Sequence, residues 1–194
     1  ISRAEMDAFA LTSHERAITA SDEGRFQPDV VPLAGVEHDE GPRRGGSIEK
    51  MAQLAPLVEG GRITAALASQ TSDGAAALLV ASEQAVVDHG LTPRARIHHI
   101  SVRGDDPIFM LTGPIPATAY ALEKSGMSID DIDLFECNEA FAPVPMAWMA
   151  EHGVPHGKIA RRNLGAHLNH DAGEVEARNL TFRFYEGNAR HFVI

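Results

Sequence analysis

Chemistry concentrates in Phe135-Glu136-Cys137-Asn138-Glu139-Ala140-Phe141, where an apolar strand pattern gives way to a helical one across an amide and a carboxylate. Strand ends in α/β proteins are where sites are commonly built. An asparagine there can hold a water or a carbonyl through its amide, and a glutamate can fix a neighbour. The same Asn138 also suits a purely local task, capping the helix read at 140–151. Cys137 is the single cysteine and invites a nucleophile reading. It follows an apolar strand, however, where cysteine behaves as a small buried hydrophobe, and we read it as inert. Among the histidines, His152 and His156 stand four apart, and His167 and His170 three apart. Such spacings can set two imidazoles on one helix face. Gly153 and Pro155 interrupt the first pair and no carboxylate completes a ligand set, so no metal is expected.

The elements that must position these residues are marked by caps and breakers. Ser2 with Glu5 forms a capping-box pattern, and the spacing of Met6, Phe9, Ala10, Ala17 and Ile18 predicts a helix over 3–22, stopped near Gly24. The prolines and glycines of 25–46 predict an excursion. Ser47 caps a short helix ending before Pro56, and Ser82 caps another ended by Gly90. The apolar runs 75–81 and 95–102 read as strands. A helix follows over Pro114–Ser125, then Gly126, a Ser128–Asp131 capping pair, and a short strand over Leu134–Glu136. Pro145 fits the helix at 140–151 only near its start. Helices alternating with short strands predict an α/β layered fold with mixed sheets. The expected boundary falls near residue 91, giving units 1–90 and 91–194.

The net charge of -10 and pI near 5.4 argue against nucleic acid as a partner. Apolar residues make up 44% of the 194, with aromatics at only 6%, which suits tight helices and backbone-lined sites. The sequence holds no apolar run long enough for a membrane helix. ISRAEMDAF is amphipathic and acidic, unlike a signal or transit peptide, and one cysteine excludes an intrachain disulfide, so a cytoplasmic location is expected.

Five segments in order resemble the thiolase family across residues 1–159: ISRAEMDAFALTSHERA at the start, DEGPRR at 39–44, RITAALASQTSDGAAALLV at 62–80, GPIPAT at 113–118, and Asn-Glu-Ala-Phe after DIDLFE. The resemblance implies a thiolase-like layered fold, holding the end of the N-terminal domain with its coenzyme A loop region and most of the C-terminal domain. It implies acyl transfer between 3-ketoacyl-CoA and coenzyme A, by thiolytic cleavage or Claisen condensation, in fatty-acid or steroid side-chain β-oxidation. Coenzyme A is then a substrate, and no cofactor is expected. Asn138 matches the residue that holds a water in an oxyanion hole. Ala65, Ser69, Ala140 and Phe141 match pantetheine-lining positions, and Arg43 matches a basic residue near the nucleotide end.

This chain departs from the family at Leu67, where the pattern carries Asn. Beyond residue 160, His170 falls on the catalytic histidine of the Gly-His-Pro motif, but Asn169 and Asp171 replace its neighbours and Leu164 breaks the Gly-Gly. Neither cysteine motif of the family is present. The chain therefore reads as a thiolase half, expected to be inactive alone, with uncovered apolar faces and a homo-oligomeric or partner-chain arrangement. A catalytically inactive coenzyme A-binding fragment and a subunit of a split thiolase are the alternatives.

Overall fold

The computed structural model describes residues 1–27, 30–71, 78–93, 95–160 and 191–193, with Ala160 and 191–193 described by backbone alone. Helix α1 spans Arg3–Asp22. Its start is set by a reciprocal pair: Ser2 Oγ accepts from the Glu5 N–H, and the Ser2 N–H donates to the Glu5 carboxylate at 2.6 Å. These bonds satisfy donors that every helix start leaves without partners. The bond from the Ser2 backbone is the main reason that the Glu5 carboxyl lies below its ordinary range. Met6, Phe9, Ala10, Ala17 and Ala20 bury one stripe of α1. Asp7 is buried beside them, bonded to Arg3 Nε at 2.8 Å, and the Arg3 guanidinium continues to the Met51 carbonyl. That link seats α2, Ile48–Ala52, whose N-terminus is capped by Ser47. Helix α3, Glu83–Asp88, is capped by Ser82.

The second part is a layer of helix and sheet. Helix α4, Pro114–Ser125, opens with proline, where a missing N–H costs nothing, and closes on Gly126 at φ 68°. Strand β1, Leu134–Glu136, lies at the centre of a parallel sheet of order β2-β1-β3, with β2 at Ile159–Ala160 and β3 at His191–Val193. Helix α5, Pro143–His152, makes the crossover from β1 to β2 that a parallel pair requires. Phe135 and Trp148, fully buried with ring centroids 5.0 Å apart, pack with Ala121, Ile132, Cys137, Val154 and Ile159. The Trp148 indole N–H donates to Thr118 Oγ1 at 2.8 Å, and that hydroxyl donates to the Pro114 carbonyl at 2.8 Å. The indole thus keeps its hydrogen bond inside the core.

Most expected elements form, and three differ. The apolar runs are not strands where they are described: 78–81 and 95–102 carry no strand, while 75–77 lie outside the described residues. A strand must hand its N–H and C=O groups to a neighbour, and neither run has a sheet partner among the described residues. Their large apolar side chains face outward, with Leu79 79% and Val102 81% exposed, as do those of Ile108 and Phe109, while Ser101 is buried. The last helix begins at Pro143 rather than 140. Pro143 and Pro145 then both fall in the first turn, where N–H groups have no acceptor within the helix. No described helix is long and apolar enough to cross a membrane.

Candidate functional site

Asn138 sits at an exposed position two residues past the end of β1. It does not cap α5, because Ala142 occupies the capping position and makes no side-chain cap bond. The local role left open by the sequence is therefore excluded. Residues 138–142 instead fold back along 67–69. The Ser69 N–H donates to the Ala140 carbonyl at 3.0 Å, the Ala142 N–H donates to the Leu67 carbonyl at 2.8 Å, and Ala68 faces Phe141 in an antiparallel bridge.

Leu67 shows how the departure from the family pattern is absorbed. Its side chain is buried with Met6, Phe9, Ala10, Met51 and Ala142, while its backbone carbonyl makes the polar contact. The bonds from this place to 138–142 run through backbone, while Thr64 Oγ1, three residues earlier, is buried with no hydrogen-bond partner among the described residues. Ala65 and Ser69 are exposed, and Ala140 and Phe141 are half-buried. The small side chains of Ala65, Ser69 and Ala140 suit the close approach of a thin ligand arm.

A third segment is tied in by side chains. Gln70 Nε2 donates to the Gly41 carbonyl at 2.6 Å, and the Arg43 N–H donates to His14 Nδ1 at 3.2 Å. Arg44 Nη1 reaches Asp22 Oδ2 at 3.0 Å, and this hydrogen bond holds the Asp22 carboxyl below its ordinary range. Arg43 is exposed, and among the described residues its guanidinium takes part in no ion pair or hydrogen bond. A guanidinium so placed suits a phosphate. The fold thus brings the 138–142 and 65–69 segments together and ties the Arg43 loop to them. His170 lies outside the described residues.

Cys137 is 1% exposed. Burial, then the carboxylates of Glu136 and Glu139, pushes its thiol up to about 12. It is protonated near neutrality and unfit as a nucleophile, as its place after an apolar strand suggests. His152 packs against Trp148 at 5.0 Å, while His156 stacks on Phe9 at 5.2 Å, so each serves a different core. Among the described residues no three His, Cys, Asp or Glu gather as metal ligands; His167 lies outside them.

Sequence reasoning passed over Ser13, His14 and Gln70. Ser13 Oγ donates to Glu139 Oε2 at 2.9 Å, across 126 positions of chain. One signal was available: Ser13 interrupts the apolar stripe of Met6, Phe9, Ala10, Ala17 and Ala20 at helical spacing.

A family model for the thiolase N-terminal domain matches residues 1–84, and one for the thiolase C-terminal domain matches residues 91–186. The chain belongs to the thiolase family. It is 56% identical over 185 residues to a steroid 3-ketoacyl-CoA thiolase of Mycobacterium tuberculosis, covering 93% of this chain and 45% of that relative. Among solved structures it resembles human mitochondrial 3-ketoacyl-CoA thiolase in complex with CoA, with a TM-score of 0.78 and 39% identity over 85% of this chain and 44% of the other. It likewise resembles the Bacillus anthracis acetyl-CoA acetyltransferase, with a TM-score of 0.78 and 39% identity over 88% and 46% of the two chains. The chain spans about half the length of the curated relatives it matches. The layered α/β architecture is that of the thiolases.

Proposed function

We propose that this chain supplies the coenzyme A-facing half of a thiolase-type acyltransferase, which moves an acyl or acetyl group between a 3-ketoacyl-CoA and coenzyme A. The observation that carries the reading is the antiparallel seam of 67–69 with 138–142, which sets small residues beside an exposed amide. Asn138 holds a water against the thioester or enolate oxygen, lowering the barrier where charge develops. Ala65, Ser69, Ala140 and Phe141 line the pantetheine arm, and Arg43 meets the phosphates. His170 is the activating base. Cys137 is buried and protonated, so the attacking thiolate comes from another segment or chain.

Thiolysis or Claisen condensation then proceeds through an acyl-cysteine intermediate on that segment or chain. The exposed apolar residues around Leu79, Val102 and Ile108 support a covering partner or a homo-oligomer. The net charge of -10 supports the absence of a nucleic-acid partner. The M. tuberculosis relative's name supports β-oxidation of a steroid-derived acyl chain, with fatty acyl chains the other substrate class. We place the enzyme in the cytoplasm and divide the chain into a unit over 1–90 and one over 91–194, a division supported by the two family-model ranges.

The test is acetyl-CoA release from acetoacetyl-CoA. The chain alone is expected to give no turnover above background. In an assembly that supplies the nucleophile, Asn138→Ala is expected to lower the rate by about 100- to 1000-fold, the scale of one lost oxyanion donor. An unchanged rate would remove Asn138 from the site.

A further inference from the structure

We propose that Ser13 and His14, adjacent in the middle of α1, are positioning residues that fix both ligand-facing segments of the site on one rigid helix. The inference rests on the functional reading above and assigns roles to two side chains it leaves unused.

The contrast within α1 carries the argument. Serine and threonine inside a helix ordinarily turn back to the carbonyl four residues earlier. Thr12, Thr19 and Ser21 do so, donating to Ala8, Glu15 and Ala17 at 2.9, 2.9 and 2.8 Å. Ser13 instead donates outward to Glu139 Oε2 at 2.9 Å. It does this from half-buried ground between Ala10 and Ala17 on the packed stripe, where a polar residue gains from a partner, as buried Asp7 has in Arg3. Glu139 follows Asn138 directly, so the bond fixes the backbone from which the Asn138 amide projects.

His14 acts on the other segment. Its Nδ1 accepts the Arg43 N–H at 3.2 Å across 29 positions, which leaves the neutral ring's proton on Nε2. Consecutive residues on a helix point roughly 100° apart, so one turn can address two different segments. The pantetheine seam and the phosphate-facing loop are thereby referenced to the same helix. Gln70, bonded to the Gly41 carbonyl, joins the two segments directly.

The test is amide hydrogen exchange on the full chain, paired with calorimetric titration of coenzyme A. Ser13→Ala is expected to speed exchange at the Ser69 and Ala142 amides about tenfold and to weaken coenzyme A binding by a similar factor, the scale of one lost charge-assisted bond. His14→Phe is expected to do the same at the Arg43 amide. Ser13→Thr and His14→Asn keep the donor and the acceptor and are expected to restore both readouts. Unchanged exchange in the Ala and Phe variants overturns the proposal, as does equal loss in the Thr and Asn variants, which would assign the effect to packing. If Ser13→Ala fails to fold, Glu139→Ala removes the same bond from the other side. Failure of the unaltered chain to bind coenzyme A overturns the functional reading, while the exchange rates still decide for or against the clamp.

Discussion

Residues 114–160 and residues 78–111 are similarly rich in apolar side chains, yet only the first region buries them. In 114–160, α4 and α5 satisfy their own backbone, and β1 finds strands on both sides. Phe135 and Trp148 disappear into the layer between them. In 78–111, the apolar runs form no strand, and Leu79, Val102 and Ile108 are turned outward. The difference teaches that helix is a local property and strand is not. A capped helix carries its hydrogen bonds with it, whereas an apolar run becomes a strand only beside another.

That comparison can be broken at its strong end first. Trp148→Ala removes the largest buried side chain and the indole N–H that donates to Thr118, and is expected to cost about 3–5 kcal/mol in urea denaturation. A loss near that of a surface residue would mean that the layer is not the core. Cys137 sharpens the same point at intermediate size. Native alkylation by iodoacetamide at pH 8 is expected to be slower than in the unfolded chain by roughly a hundredfold. Burial has raised the thiol from its ordinary 9.0 to about 12. A neutral thiol that ionises late favours the fold below pH 9, and that contribution is lost as pH rises from 9 towards 12. Stability that rose over that interval would contradict the burial. In the dilute, unassembled chain, Ile108→Ser in the outward run is expected to change unfolding stability by less than about 0.5 kcal/mol. A cost above 1 kcal/mol would show that the run packs against something, against the 86% exposure of Ile108.

The same distinction explains how much was legible in the sequence. Ser2 with Glu5, Ser47, Ser82, Pro114 and Gly126 mark helix ends by chemistry that acts within four residues, and the helices stand where those residues say. The start of α5 is hidden because Asn138 resembles a cap, whereas the helix begins at Pro143 with two prolines in its first turn. The Asn-Glu-Ala-Phe segment was legible as a polar turn after a strand, but the segment it pairs with was not. Nothing in residues 135–141 announces Ser13 or the carbonyl of Leu67, because those contacts join segments far apart in the chain. Leu67 looked like a loss of polarity, and only the fold shows its side chain inside and its backbone taking the bond.

The central claim is that the seam between 65–69 and 138–142, with the Arg43 loop, faces coenzyme A. The direct measurement is titration of the nitrogen-15-labelled chain with coenzyme A, followed by amide chemical shifts. The account predicts saturable shifts at Arg43, Ala65, Ser69, Asn138, Ala140 and Phe141, with α4 unmoved. Saturable shifts centred on α4 or on the outward 97–111 run, with the seam silent, would contradict it.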